Sequence, residues 1–249
     1  MKIVVIGGTG LIGSKLVANL GALGHEMLAA APNTGVNTIT GEGLAEALDG
    51  ASVVIDVSNS PSFENQAVLD FFETSTGNLL AAEAVAGVGH HVAVSIVGTE
   101  RMPENGYFRA KIAQENLIEK ASIPFSLVHA TQFFEFVGPI ADTSTVDGVV
   151  RIAPVRYQPI AGDDVAKAVG RAAVGTPLNG RVEIAGPDQY QMDEFFRMAL
   201  ATRKDPREVV ADPHATYYGS QLGEQSLVPI GPADLGEIHF PDWPGRFGK

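Results

Sequence analysis

The sequence predicts an α/β fold, a doubly wound parallel sheet with a small C-terminal lobe that covers the strand ends. Three observations predict it. Short β-branched runs alternate with longer segments whose apolar residues recur every three or four positions. The first run meets a cluster of glycines and then a helix. The 249 residues, 45% apolar and 18% charged, are enough to bury one large core. The chain reads as a single domain over 1–249, with a core at about 1–132. Residues 133–249 supply later sheet elements and the lobe.

The elements follow in order. Residues 3–6 form a strand, 11–23 an amphipathic helix and 27–31 a second strand, ended by the turn formers Pro32, Asn33, Thr34 and Gly35. A short helical piece at 43–48 leads to the strand 52–57 and the polar loop Ser58-Asn59-Ser60-Pro61. From 63 to 85, Val68, Phe71, Phe72 and Leu79 recur at helical spacing, and Gly87 and Gly89 stop the helix. Residues 91–97 are the next strand, 107–121 a helix, and 125–131 the strand after Pro124. Beyond Thr131 the aromatic run Gln132-Phe133-Phe134-Glu135-Phe136 breaks the rhythm. Strands at 149–153 and 181–185 and helices at 162–174 and 193–202 follow. Asp163 and Asp164 are candidate caps for the third of these segments. The tail from 228 to 249 carries Pro229, Pro232, Pro241 and Pro244 and reads as extended coil.

Composition excludes several classes. A formal charge of −12, without clustered Lys or Arg, argues against a nucleic-acid surface. The absence of cysteine removes disulfides and thiolate chemistry and fits a reducing cytoplasm. The apolar run after Lys2 lasts only four residues before the glycines, too short for a signal-peptide core or a membrane span. The expectation is a cytoplasmic protein, with a homo-oligomer possible.

The glycine cluster is the first functional signal. Gly8, Gly10 and Gly13 satisfy G-x-G-x-x-G, and Gly7, Gly10 and Gly13 satisfy the wider G-x-x-G-x-x-G. Either spacing lets a backbone turn approach a pyrophosphate at a helix N-terminus, as in a dinucleotide-binding Rossmann fold. Gly7, Thr9, Gly10, Leu11, Ile12 and Gly13 are therefore candidate cofactor contacts. Val57, Ser58 and Asn59, at the end of a central strand, are placed beside a ribose, a simple polar loop being the alternative.

Tyr107 and Lys111 are four apart at the start of a predicted helix and share a face. An ammonium near a phenol lowers its pKa from about 10 and suits it to proton transfer. Ser95, inside the preceding strand, offers a hydroxyl near the strand's carboxyl end.

Gly7-Gly8-Thr9-Gly10-Leu11-Ile12-Gly13, Ser95 and Tyr107-Phe108-Arg109-Ala110-Lys111 together resemble the short-chain dehydrogenase/reductase superfamily. Within it the chain resembles the atypical, NmrA-like branch, which holds NAD(P)H-dependent reductases and regulators that bind nucleotide without turnover. The likeness covers about 1–175, and Gln132 to Phe136 and Gln158-Pro159-Ile160 also resemble that branch. The resemblance implies that Tyr107 is the general acid, that Lys111 tunes it and holds the nicotinamide ribose, and that Ser95 hydrogen-bonds the carbonyl. It implies an oxidoreductase acting on a small or aromatic carbonyl or quinone. The alternative is a nucleotide-sensing regulator, and a third is an isomerase or epimerase that retains its cofactor.

The end of the second strand lacks the acid that favours NAD and the Arg that favours NADP. Glu26 lies too early in that strand. Asn33 and Thr34 can donate hydrogen bonds and nothing there repels a phosphate, so NADP(H) is the preferred cofactor, with NAD(H) possible. Phe133, Phe134 and Phe136 would line an apolar substrate pocket or fill the lobe core, and Gln132 is the polar group placed nearest a small-molecule substrate. His90 and His91 point to opposite faces of a strand, and no histidine spacing suits a metal.

Overall fold

The computed structural model describes residues 1–247; the predicted tail's last positions, 248–249, lie outside the described residues. Strand β1 (Lys2–Ile6) leads through the glycine turn into α1 (Leu11–Ala22) and β2 (Glu26–Ala30). Ile3, Val4 and Val5 are fully buried, as the continuous apolar run of a central strand requires. A 3-10 turn at Pro32–Thr34 and α2 (Leu44–Leu48) precede β3 (Val53–Asp56), whose four residues are all buried. Then come α3 (Asn65–Ala86), β4 (His90–Ile96), α4 (Gly106–Lys120) and β5 (Phe125–Ala130). Helix α3 ends at Gly87, which takes the left-handed conformation at φ 71° that a side chain resists.

The second half contains α5 (Val137–Thr143), β6 (Thr145–Val146), β7 (Val149–Ile152), β8 (Arg156–Tyr157), α6 (Gly162–Val174) and β9 (Gly180–Ala185). It continues with β10 (Tyr190–Gln191), α7 (Met192–Thr202), β11 (Val209–Ala211), β12 (Thr216–Tyr217), β13 (Ser220–Gln221) and β14 (Asp234–Leu235).

A seven-stranded parallel sheet runs in the order β14, β9, β5, β4, β3, β1, β2. The predicted α/β class with a doubly wound parallel sheet is what the chain adopts. The order reverses at β1: β2 lies on one side and β3 on the other. Ile6 is level with both Ala30 and Asp56, so these three strands end together at the switch point where such sheets bind ligands.

The chain forms two compact units. The first comprises 1–95, 106–129 and 165–182. Its core includes Val4, Val54, Leu48 and Leu79 in one cluster, and Ala93, Ile118 and Leu127 in another. The second comprises 96–105, 130–164 and the segment from 183 onward. It holds small sheets of β11, β7 and β6, of β10 with β8, and of β12 with β13. Its centre is aromatic: Phe134, Tyr157, Phe195, Phe196 and Phe240 are all nearly inaccessible.

The tail departs from the extended coil its prolines suggest. It contributes β14, parallel to β9, and two 3-10 turns, Phe240–Asp242 and Pro244–Phe247. The anchor is Asp164, whose buried carboxylate accepts the backbone N–H groups of Glu237 (2.9 Å) and Ile238 (2.8 Å). A residue expected to cap its own helix thus satisfies amides of the tail. Phe240 and Trp243 then pack on Phe134.

Candidate functional site

The glycine turn is shaped by contacts that exclude side chains. Gly7 has φ +77°, and a Cβ there would stand 2.9 Å from the Val57 carbonyl oxygen. At Gly8 it would meet Ala29 Cα at 2.6 Å, and at Gly13 the Gly7 oxygen at 2.1 Å. Gly13 therefore lets α1 begin directly against the turn. Gly10 differs: it is exposed, and an added Cβ has only the Gly7 oxygen nearby, at 3.2 Å. It is also the N-cap of α1 and supplies no side-chain cap, and no acid occupies the first turn. The N–H groups of Leu11, Ile12 and Gly13 precede the first intrahelical bond, from Ser14 N to Gly10 O. This cradle, open at Gly10 and ringed by uncapped amides, fits a pyrophosphate. Three glycines are required by packing, so the two spacings read from the sequence are both parts of one turn.

Around the cradle, Thr9 Oγ1 donates to Asn33 Oδ1 at 3.2 Å. Thr34 is committed to its own turn: its hydroxyl accepts the Ala31 N–H (2.9 Å) and lies 2.9 and 3.0 Å from the carbonyls of Ala31 and Ala29. Its proton is therefore spent locally, and the exposed Asn33 is the polar side chain left at the end of β2. Glu26 sits at the opposite end of that strand, paired with Lys2.

After β3 the loop is built on Asp56 and Asn59. Asp56 Oδ1 accepts the N–H (2.9 Å) and hydroxyl (2.7 Å) of Ser58. Asn59 Oδ1 accepts the Ser60 N–H at 2.9 Å and the Tyr107 hydroxyl at 2.8 Å. Val57 carries the turn onward, its N–H bonded to Ile6 O.

Tyr107 and Lys111 do share one face of α4, and they meet the same ring. Tyr107 packs edge-on against Phe72 with centroids 6.0 Å apart, and Lys111 Nζ lies 4.4 Å from the Phe72 centroid. Phe63 lies against the Tyr107 ring at 5.5 Å. Lys111 is buried, and it donates to Val94 O (2.8 Å) and to Gln114 Oε1. Gln114 Nε2 in turn donates to Asp56 Oδ2 at 3.0 Å. Burial pushes the Lys111 ammonium down to about 8, against the opposing pull of Asp56 and Glu115.

Ser95 is turned toward α4. Its hydroxyl donates to Glu115 Oε1, and the same oxygen lies 3.3 Å from His129 Nε2. Burial alone would raise the Glu115 pKa; the neighbouring His129 ring, the Ser95 hydroxyl and Lys111 together hold it below the usual carboxylate range. Asp56, Gln114, Glu115 and His129 were not singled out from the sequence. A signal existed for three of them: Gln114 and Glu115 stand three and four residues after Lys111, and Asp56 interrupts a β-branched run. His129 gave none, since a lone histidine in a strand is ordinary.

The substrate candidates lie in the second unit. Gln132 is buried, and neither amide atom has a hydrogen-bond partner among the described residues. Phe133 and Phe136 stack at 5.4 Å with ring planes 15° apart, and Phe136 stays exposed. Phe134 is core. His90 bonds Ser126 (2.9 Å) and His91 bonds Glu83 (2.8 Å), from opposite faces of β4. No group of side chains able to hold a metal ion occurs among the described residues, and no helix among them is long and apolar enough to cross a membrane.

Comparison with known proteins places this geometry. No family model matches the chain. The photosystem II assembly factor Ycf39 of Synechocystis is 24% identical over 191 residues, which are 69% of this chain and 58% of that protein. The chain thus spans less than two thirds of that relative's length. Among solved structures, a dTDP-4-dehydrorhamnose reductase from Clostridium acetobutylicum superposes with a TM-score of 0.72 at 14% identity, covering 92% of this chain and 90% of that one. The UDP-glucose 4-epimerase of Thermus thermophilus, solved with NAD, gives 0.69 at 19% identity over 91% and 92%. The chain has the Rossmann-like α/β fold of these proteins. RMD from Pseudomonas aeruginosa, complexed with NADPH, shares that fold at a TM-score of 0.64 and 16% identity, over 85% of each chain. These likenesses agree with the NmrA-like resemblance read from the motifs.

Proposed function

We propose that this chain is an NAD(P)-dependent oxidoreductase of the short-chain type, using NADP(H) to reduce a small or aromatic carbonyl or quinone. The observation that carries the reading is the pairing, within one unit, of a side-chain-free turn at an uncapped helix with the Tyr107–Lys111 face of α4. Gly7, Thr9, Gly10 and the amides of Leu11, Ile12 and Gly13 would hold the pyrophosphate. Asn33 would face the 2′ group, and Val57 and Ser58 the ribose. When bound, the nicotinamide supplies the hydride. Tyr107 gives its proton to the carbonyl oxygen, leaving Asn59 to do so. The buried Lys111 stabilises the phenolate that remains. That relatives of this fold were solved with NAD and NADPH supports the cofactor class.

The test is NADPH oxidation with a panel of carbonyls and quinones. Tyr107→Phe should lower kcat by about 100-fold or more while NADPH affinity is kept, as for a lost general acid. Unchanged turnover would remove Tyr107 from the chemistry. The second reading, a nucleotide sensor without turnover, is favoured by one observation: Ser95 is bound to Glu115. It is the outcome if the protein binds NADPH tightly and no panel member is reduced.

A further inference from the structure

The Tyr107 hydroxyl is tied to the wall of the glycine cradle by one side chain. A Cβ at Gly7 would meet Val57 O at 2.9 Å and Ser58 Cα at 3.0 Å, so the loop after β3 is packed against the glycine turn. The next residue on that loop is Asn59, whose Oδ1 accepts the Tyr107 hydroxyl at 2.8 Å. Asn59 is exposed and Tyr107 only partly buried, so a solute in water can reach this bond.

Both partners are fully used. A tyrosine hydroxyl has one proton, and an amide oxygen has two lone pairs. The Ser60 N–H takes one lone pair of Asn59 Oδ1 at 2.9 Å and keeps that oxygen turned toward the phenol. The Tyr107 ring is held by Phe72 at 6.0 Å and by Phe63, from the same loop as Asn59, at 5.5 Å. The ring therefore stays in place while its proton changes acceptor.

We infer that Asn59 is a positioning residue acting through Tyr107: its amide oxygen occupies, in the free protein, the place at the phenol hydroxyl that a substrate carbonyl oxygen takes, and the substrate binds by displacing it. The inference rests on the reductase reading for the identity of the displacing oxygen; the bond itself belongs to the chain alone. Amide and substrate oxygens are both carbonyl acceptors, so the exchange swaps like for like, and the exposed Asn59 turns to water. Tyr107 keeps its proton through this step and gives it to the substrate oxygen only as hydride arrives. Asn59 Oδ1 offers nothing to the phenolate left behind, so it has to be displaced before the proton leaves. Its cost falls on substrate binding and not on proton transfer.

Steady-state kinetics at saturating NADPH with a reducible carbonyl test it. Asn59→Ala removes the competing acceptor, so KM for the carbonyl should fall about 2–10-fold, the worth of one ordinary hydrogen bond. The kcat should stay within about twofold, because the lost contact is made only before substrate binds. Asn59→Asp puts a stronger, charged acceptor in the same place and should raise that KM about fivefold or more. Damage to the loop would move both variants the same way, whereas displacement moves them in opposite directions. An unmoved KM in Asn59→Ala, or KM shifts of one sign in both variants, overturns the inference.

A second measurement needs no turnover. In Tyr107→Phe, Asn59 loses its partner, and backbone amides of residues 58–60 should exchange hydrogen about 2–10-fold faster than in the wild type. Unchanged exchange overturns the inference. If no variant reduces any carbonyl, the reductase reading falls and with it the carbonyl as occupant, while faster exchange in Tyr107→Phe still supports Asn59 as the holder of the Tyr107 hydroxyl.

Discussion

Replacing Gly13 and Gly10 by alanine, one at a time, separates the glycine that packing needs from the glycine a ligand needs. In Gly13→Ala the new methyl would stand 2.1 Å from Gly7 O and 2.7 Å from Gly8 Cα. Both neighbours are backbone, so no rotamer change relieves the clash, and α1 must back away from the turn. Overpacking of this kind costs about 1–3 kcal/mol. Alanine returns up to about 1 kcal/mol through helix propensity, which is too little to cancel it at a 2.1 Å contact. For a chain of this length each kcal/mol is about 2–4 °C, so the melting temperature should fall by about 3–8 °C. In Gly10→Ala the single close contact, 3.2 Å to Gly7 O, needs only a small adjustment, and φ is −82°, open to any residue. Its melting temperature should move by less than about 2 °C. The methyl there stands at the mouth of the cradle, so NADPH affinity should fall by about tenfold or more, about 1.4 kcal/mol. Thermal melts and NADPH fluorescence titrations measure the two effects. Equal melting losses in both variants, or wild-type NADPH binding in Gly10→Ala, would refute the assignment of Gly10 to the ligand.

Three more predictions concern buried charges. The folded-state pKa of Lys111 is about 8 against an ordinary 10.5, so between those values the unfolded chain keeps a proton that the folded chain has released. Stability attributable to this group should therefore rise with pH across that window, by about 3 kcal/mol in all. Urea unfolding at several pH values should give a flatter profile for Lys111→Met than for the wild type, and parallel profiles would exclude Lys111 as the source. In the Glu83–His91 pair, burial opposes the charged ring, but the carboxylate 2.8 Å from Nδ1 outweighs it and holds the His91 pKa up. Glu83→Ala should cost about 3–5 kcal/mol, and the double variant Glu83→Met/His91→Leu should recover much of it; denaturant midpoints showing the double variant worse than either single one would contradict this. Asp164→Ala removes the acceptor of two tail amides and should cost about 2–4 kcal/mol, with faster proteolysis between 228 and 238. Wild-type resistance to protease would show that the tail is held by its aromatic residues.

Much of the fold was legible because the signals were local. Burial on both faces makes Ile3 to Ile6 and Val53 to Ile55 continuous apolar runs, and glycines mark where helices stop; predicted and observed boundaries differ by one or two residues. The short strands β6, β8 and β10 to β14 were missed, since two or three residues carry no periodicity and their partners are remote in sequence. The tail failed for a related reason. Its prolines argue against regular structure, while Asp164, which orders residues 237 and 238, is more than seventy positions away. At the candidate site, the helical spacing of Tyr107 and Lys111 correctly put them on one face. What spacing cannot carry is the direction of a hydroxyl. Ser95 reads equally well as a donor to substrate and as a donor to Glu115, and only the approach of β4 to α4 distinguishes them. Thr34 repeats the lesson: its hydroxyl looked available until its own turn claimed it.

Strand β14 is the last sheet strand to be synthesised, yet it lies at the outer edge beside β9. While residues 234 and 235 are still within the ribosome, the edge of β9 that they will pair with stays open. An open parallel edge is a template for another chain. Cells making this protein would therefore pass through an interval in which a nearly finished sheet is adhesive. Slow translation or stalling before Asp234 should be more damaging than a comparable delay elsewhere, and chaperone demand should concentrate on the interval before residues 234 and 235 emerge.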